Sequence, residues 1–547
     1  MGPRLERSRE ILEALSVHGF GFVTGEVALP GGLGRGSRGP GRGMRRGRPE
    51  RLRLALEELG PTFVKLGQVL STRSDLLPPA YTAELARLQD AATPVPAALV
   101  MEAVAEELGT AEVFDRFDEE PLASASIGQA HTASLGGVEV VVKVRRPGAV
   151  ETVQTDLEIL ERLAVLAARH SELARDYDVR GVVHDFSTTL RSELDYLKEA
   201  RSAERFAQAF ADDPQVHVPA VFWETTTARV LTLERVHGMK IDDLPALDAA
   251  GVDRRALAAR AAGVLCRMVF EDGFFHADPH PGNFFVAPDG SLSIIDFGMV
   301  GELTEEMRDQ LVALLVHLLR GDLHGTTDAV LSLVGRPDDA DRDALAADLR
   351  PTVERFAGMA VADLALTGLI TEVLGLVRRH RLRLPHDLAL LFKMLLMAEG
   401  LGRQLDPDFE LGAVLAPYAE RLARDRHSPE AVAARLVQAA RGLLEAGAQT
   451  PETMRGMAKV LERGGFDVRL RTDELTQVVR EADRIGNRVV AGMIAAALIN
   501  GLGGIIASDE GRWRRLKGPL VVGGAGALGA LGGYLARSVA RGQGGLR

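Results

Sequence analysis

The 547-residue sequence predicts an α+β protein of two lobes, a mixed strand-and-helix lobe followed by a helical one. Three observations predict it. A β-branched run, Val138-Glu-Val-Val-Val-Lys-Val144, stops at the turn signal Arg145-Arg-Pro-Gly148, and strand-like segments accompany it at 123–133, 216–222 and 229–234. Helical periodicity fills 150–210 and returns from Asp242 to about Arg484. Inside that second helical region one short β-rich stretch, Asn283 to Asp296, carries Asp289-Gly290 as a hairpin turn. A mixed lobe followed by a helical lobe is a two-lobed plan.

The flanks read differently. Arg4 to about Val23 fits a short amphipathic helix, and Gly31 to Pro49 a Gly/Arg/Pro linker. The linker holds a formal G-x-G-x-x-G at Gly34, Gly36 and Gly39, but Pro40 follows and no strand precedes it, so it is a decoy. From Pro49 to Leu108 the pattern is helical, with Pro78-Pro79 as a break and Lys65-Leu-Gly-Gln68 inside it. At the far end, Val489 to Ser508 and Gly518 to Ala536 are charge-free runs near bilayer-spanning length. Ala525, Gly529 and Gly533 fall at the four-residue spacing that lets membrane helices approach closely. The loop between the runs holds four basic residues, which opposes placing it outside; a re-entrant or peripheral hairpin resolves that tension.

A net charge of -11 excludes generic nucleic-acid binding, and the basic run Arg42 to Arg53 is read as a solvated linker. Cys266 is the sole cysteine, which excludes an intrachain disulfide or a cysteine metal cage. Charges occupy the N-terminus where a signal peptide needs its apolar core, so none is expected.

The chemistry is concentrated in His276-Ala-Asp-Pro-His-Pro-Gly-Asn283 and, eighteen residues after Asp278, Asp296-Phe-Gly298. An acid, an amide five residues on, then Asp-Phe-Gly after an apolar run is how protein-kinase-like enzymes place a base and two magnesium ligands around ATP. Asp278 would take the proton of a hydroxyl or water, and Asn283 and Asp296 would hold the metal. Lys143, inside the apolar strand, stands where a lysine would pair the α- and β-phosphates. Its carboxylate partner is left open between Glu193 and Glu199, with Glu158 ranked below both. Read alone, Lys143 is an ordinary strand lysine; the ordered set gives it a role. His276, Asp278 and His280 could instead ligate a metal as alternate residues, which leaves Asn283 and Asp296 without a function.

Three departures from ordinary protein kinases stand out. The glycine-rich loop is replaced by Leu122-Ala-Ser-Ala-Ser-Ile-Gly-Gln-Ala-His131, whose alanines restrict it more than glycines would. Ala277 precedes Asp278 where an arginine would read an activation-loop phosphate. A helical pattern begins at Thr304 with no intervening activation segment, so a peptide platform is not expected.

With those departures the chain is similar to the UbiB family (also called AarF) of atypical kinase-like proteins, over about 50–400. The resemblance rests on Lys65-x-Gly-Gln68, the Ala-rich loop Ala123 to Ser126, Glu193-Leu-Asp-Tyr…Glu199-Ala, the His276 to Asn283 motif and Asp296-Phe-Gly. It implies a two-lobed protein-kinase-like fold with an N-terminal helical extension and a C-terminal membrane-associated helical hairpin. It further implies an ATP- and magnesium-dependent ATPase or kinase supporting isoprenoid quinone biosynthesis at a bacterial-type inner membrane, catalytic domain in the cytoplasm. Lys65 and Gln68 would then lie over the would-be substrate pocket near the nucleotide, Lys65 joining Asp278 and Lys143 as catalytic. Ala123, Ser124, Ala125, Ser126, Lys143, Glu193, Glu199, Gln68 and Glu234 become the expected nucleotide-binding residues.

The expected divisions are 1–48 (helix and linker), 49–115 (K-x-G-Q extension), 116–240 (first lobe with inserted helices), 241–400 (second lobe), 401–486 (further helices) and 487–547 (hairpin). Expected partners are ATP, a membrane lipid or quinone precursor, quinone-biosynthesis enzymes and a second copy of the chain. Other readings are a nucleotide-occupied scaffold, a true protein kinase, or a small-molecule kinase of the aminoglycoside or choline type. The last has no reason to carry K-x-G-Q.

Overall fold

The computed structural model of the chain describes residues 3–20 and 47–426, with short gaps at 72, 74, 89–92, 111, 171–177 and 335–340. The N-terminal extension consists of α1 (Pro3–Leu15), a wide helical turn at Ser16–Phe20, α2 (Arg48–Leu59), α3 (Pro61–Ser71) and α4 (Pro79–Leu85). α1 itself ends at Leu15, and residues 21–23 of the expected helix lie outside the described residues. Pro61 and Pro79 each open a helix at a position whose N–H would have no partner anyway. Ile11, Leu56, Leu59, Phe63 and Leu85 form one buried cluster that takes in Ile159 from further along the chain. Gly67 is part of that packing: a Cβ there would lie 2.2 Å from Leu88 Cδ1 and 2.9 Å from Leu56 Cδ1. The glycine of K-x-G-Q thus lets α3 lie close to α2 and to Leu88. Lys65 and Gln68, three residues apart on one face, line a cavity instead.

The first lobe contains α5 (Ala97–Leu108), β1 (Arg116–Phe117), β2 (Ala123–Ser124), β3 (Gly128–Leu135), β4 (Val138–Arg145), α6 (Ala149–His170), α7 (Val179–Glu193), α8 (Tyr196–Ala209), β5 (Val216–His217), β6 (Val230–Glu234) and β7 (Met239–Lys240). A five-stranded sheet runs β1-β3-β4-β6, with β2 on β3, and its pairings are antiparallel. Along β4, Val140, Val142 and Val144 are buried against Val100, Ala103 and Val104 of α5. The two-residue period then puts Lys143 on the opposite face beside Leu231, where Tyr196 and Ala200 of α8 pack. The helical stretch 150–210 breaks twice. The second break is capped by Asp195, whose carboxylate accepts from Leu197 N–H at 3.1 Å. The strand expected over 216–222 stops at His217, because Pro219 has no N–H to give a ladder; only Val221 makes an isolated bridge to Leu233.

The second lobe follows with α9 (Leu244–Ala249), α10 (Arg254–Arg267), β8 (Phe274–His276), β9 (Phe284–Val286), β10 (Leu292–Ile294), β11 (Val300–Glu302), α11 (Glu305–Leu319), α12 (Leu323–Leu333), α13 (Arg342–Phe356), α14 (Leu366–Arg379), α15 (His386–Leu405) and α16 (Leu411–Arg426). Its core joins Leu257, Ala261 and Leu265 of α10 to Leu388, Leu391 and Leu395 of α15. Two short antiparallel pairs set the site. β8 pairs with β11 (His276 opposite Val300), and β9 with β10 (Phe284 opposite Ile294). Asp278 follows β8, Asn283 precedes β9 and Asp296 follows β10, so the register brings all three to one edge.

Of the further helices expected over 401–486, α16 is described and the remainder lies outside the described residues. So do the charge-free runs at 489–508 and 518–536 and the expected hairpin 487–547. Among the described residues no helix is long and apolar enough to cross a membrane.

Candidate active site

A cavity of about 240 Å³ opens between the lobes, lined by Lys65, Ala123, Ala125, Lys143, Glu199, Asp278, Asn283 and Asp296, among others. Lys143 Nζ donates to Glu199 Oε1 at 2.5 Å and stands 3.7 Å from Asp296 Oδ2. The partner left open in the sequence is therefore Glu199 on α8, not Glu193. Burial opposes the Lys143 charge, but Asp296 and Glu199 outweigh it and hold the ammonium above its ordinary value. Burial also pushes the Glu199 carboxyl up against the pull of Lys143. Glu199 does a second job: Phe297 N–H donates to the same oxygen at 3.3 Å, so one carboxylate ties the strand lysine to the Asp-Phe-Gly turn.

That turn is itself constrained. Asp296 has φ 64°, the left-handed region that aspartate tolerates better than most residues. Gly298 N–H donates to Asp296 Oδ1 at 3.1 Å, and Phe297 is buried against Phe206 and His276. The Lys143 ammonium holds the Asp296 carboxyl down at about 2 despite burial.

His276 joins the two acidic motifs. Its Nδ1 accepts from Asp278 N–H at 3.1 Å, and its Nε2 lies 2.6 Å from the carbonyl oxygen of Asp296. An N–H facing one nitrogen and a carbonyl facing the other fix a neutral ring protonated at Nε2. Burial pushes its pKa down, which keeps it neutral. The histidine is thus structural, and His280 Nδ1 accepts Gly282 N–H at 3.1 Å. Among the described residues no group of three or more His, Cys, Asp or Glu side chains could hold a metal ion, which removes the His276/Asp278/His280 alternative.

Asn283 Nδ2 donates to the Asp278 carbonyl at 3.1 Å, which leaves its side-chain oxygen outside that bond, and the residue lines the cleft. That oxygen and the half-exposed Asp296 carboxylate are hard donors of the kind magnesium takes, and Lys143 offers a charged donor for phosphate. The residues present fit a magnesium-bound nucleotide.

The Ala-rich loop is held by a residue the sequence reading passed over. Arg146 donates to Ala125 O at 2.8 Å, Ser124 Oγ at 2.7 Å and Thr93 O at 2.8 Å. Ala123 and Ala125 line the cleft, Ser124 lines a second cavity, and Ser126 is buried and lines neither. Behind the loop, a Cβ on Gly128 would lie 2.1 Å from Tyr196 Oη and 3.0 Å from Val144 O. Gly128→Ala is expected to destabilise by about 1–3 kcal/mol through this overpacking. Tyr196→Phe in the same chain should recover part of the loss, measured by thermal unfolding.

The second cavity, about 1000 Å³, shares Lys65, Glu193, Asp278, Asn283 and Asp296 with the first. Lys65 Nζ pairs with Glu193 Oε2 at 3.1 Å, and Gln68 Nε2 donates to Leu88 O at 3.3 Å. Asp278 Oδ1 accepts from Lys393 Nζ of α15 at 2.8 Å. Burial pushes the Asp278 carboxyl up, but Lys393 outweighs it and leaves the group below its ordinary value. Glu234 does not belong to this arrangement. Its carboxylate accepts Ala220 N–H at 3.1 Å and pairs with His217 at 3.3 Å, on a strand end outside both cavities. Lys393 and Arg146 went unread because each sits in a local pattern, an apolar helix and a turn, that carries no motif.

Two family models match the chain: an ABC1 atypical kinase-like domain over residues 87–330 and a UbiB helical domain over 349–410. A protein of Xanthomonas campestris pv. campestris named "Probable protein kinase UbiB" is 36% identical over 466 residues, covering 83% of this chain and 84% of that one. A protein of the same name from Azotobacter vinelandii is 37% identical, covering 84% and 86%. Among solved structures, the complex of Rv3197 with erythromycin from Mycobacterium tuberculosis is 27% identical with a TM-score of 0.43, covering 66% of this chain and 90% of that one. The chain belongs to the UbiB family of ABC1 atypical kinase-like proteins.

Proposed function

We propose that the chain is an ATP- and magnesium-dependent ATPase or small-substrate kinase acting at a membrane surface in support of isoprenoid quinone synthesis. The observation that carries the catalytic part is the meeting of the Lys143–Glu199 pair with Asp278, Asn283 and Asp296 in one cleft. Lys143 binds phosphate oxygens, and Glu199 holds it in place. Asn283 and Asp296 supply oxygen ligands, and Asp278 takes the proton of the attacking hydroxyl or water. Asn283 and Asp296 would hold magnesium, which when bound would supply charge neutralisation to the phosphates. Phosphoryl transfer needs chiefly this alignment and charge.

The larger cavity favours a small or amphiphilic acceptor over a peptide. It is walled by α3 and α15, with Val69, Leu88, Leu390 and Met397 as apolar lining. Only Met299, the short β11, Leu303 and Thr304 separate Asp-Phe-Gly from α11, so no activation segment intervenes. The quinone part rests on the family and the membrane part on the charge-free runs 489–508 and 518–536. The test measures magnesium-dependent ATP hydrolysis by the full chain and by a chain lacking 487–547, each with and without anionic liposomes. The proposal expects stimulation and co-flotation with liposomes only for the full chain. Hydrolysis indifferent to lipid in both would remove the membrane part.

A further inference from the structure

We propose that Lys393 is the positioning residue for Asp278, so that the helical domain completes the transfer site. The inference rests on the proposed phosphoryl-transfer reading. It starts from a deficit in the catalytic loop: between His276 and Asn283 there is no lysine or arginine. A base carboxylate beside a triphosphate, with Asp296 in the same cleft, is surrounded by negative charge. Within its own loop, the hydrogen bonds from Asn283 and to His276 engage the backbone of Asp278 and not its carboxylate.

The compensation comes from 115 residues away. Lys393 Nζ donates to Asp278 Oδ1 at 2.8 Å, and its side chain is only 15% exposed. It stands in the stripe of α15 that faces the larger cavity, with Leu390, Leu396 and Met397 around it. The spacing of these residues is that of one helical face. Leu391, Phe392, Met394 and Leu395 on the remainder of the turn are buried in the core. A lysine held largely out of water on an otherwise apolar helix face finds its charged partner in the base.

The bond has a direction that suits the chemistry. It occupies Oδ1 of Asp278, while Asn283 Nδ2 takes the backbone oxygen and His276 takes the backbone N–H of the same residue. Side chain and backbone are thereby fixed from three sides, and Oδ2 is left to receive the acceptor's proton. The residue belongs to the part of the chain matching the UbiB helical domain, and Asp278 to the part matching the kinase-like domain. The pair therefore makes the base's orientation depend on how the two are docked.

The test is a double-mutant cycle on the full chain with Lys393→Met, Asp278→Asn and both together. It is read as single-turnover hydrolysis of magnesium-ATP, as affinity for a non-hydrolysable ATP analogue, and as thermal unfolding. Lys393→Met should lower turnover roughly 10²-fold, as a misplaced catalytic group does, with analogue affinity within about threefold of the parent. Lys393→Arg should recover most of the loss. The double variant should turn over no more slowly than Asp278→Asn alone, since the lysine acts through the aspartate. Full turnover in Lys393→Met, or a loss that adds to that of Asp278→Asn, overturns the proposal. If Lys393→Met does not fold, Lys393→Gln takes its place under the same criteria. Magnesium-independent or absent turnover in the unmodified chain would instead sink the parent reading, and this inference with it.

Discussion

Asp278→Asn is expected to lower ATP turnover by about 10²–10⁴-fold, the range set by loss of a positioned general base. Nucleotide binding should survive, because the residues placed against the phosphates and the metal are others. Asn at 278 keeps the size of the side chain and can still meet Lys393, but it no longer offers a carboxylate to the attacking hydroxyl. The backbone contacts that fix this residue, from Asn283 Nδ2 and to His276, do not involve its side chain and persist. Single-turnover hydrolysis set beside analogue binding checks the prediction. Turnover and affinity lost together would mean that Asp278 holds the nucleotide rather than the proton. The same variant separates enzyme from scaffold in the cell: quinone levels maintained by a chain that binds ATP without turning it over would favour occupancy over chemistry.

The second large effect concerns the carboxylate that holds the lysine. Glu199→Ala should destabilise the chain by about 3–5 kcal/mol, the usual consequence of leaving one member of a buried ion pair alone. Both side chains qualify, at 8% exposure for Glu199 and 20% for Lys143. Asp296, 3.7 Å from the ammonium, tempers the loss by becoming its remaining partner. That rearrangement carries a functional cost, since an Asp296 drawn onto Lys143 is drawn away from the metal. Loss of the Phe297 N–H acceptor loosens the same turn. Magnesium-dependent nucleotide affinity should therefore fall together with stability. Glu193→Ala should behave differently. It removes the Glu193 partner of Lys65, on the extension, and leaves Lys143 paired. Denaturant unfolding and nucleotide titration of the two variants settle which glutamate serves the strand lysine.

The elements that carry strong local signals were legible in the sequence. The β-branched run Val138 to Val144 marked the strand, while the face of Lys143 follows from the packing of Val140, Val142 and Val144 on α5. The spacing from Asp278 to Asn283 to Asp296 was readable because short strands either side impose the geometry. What the sequence withheld was long-range. Glu193 and Glu199 lie on successive helices with similar local patterns, and only the packing of α8 on β4 and β6 decides between them. Lys393 looks like a stray charge in an apolar helix until α15 is laid beside the catalytic loop. Arg146 reads as part of a turn until its three acceptors are seen. Glu234, expected among the nucleotide-binding residues, is placed with its carboxylate on Ala220 N–H and His217. Pro219 was a legible signal for shortening the strand after His217.

The measurement that bears most directly on the central claim is calorimetric titration of the full chain with ATP, with and without magnesium, alongside the Asp296→Asn variant. The account predicts saturable binding that needs magnesium in the parent chain and a marked loss of that dependence in the variant, because Asp296 and Asn283 supply the metal's protein ligands. Binding that is absent, or that is the same with and without magnesium and unaffected by Asp296→Asn, would contradict it.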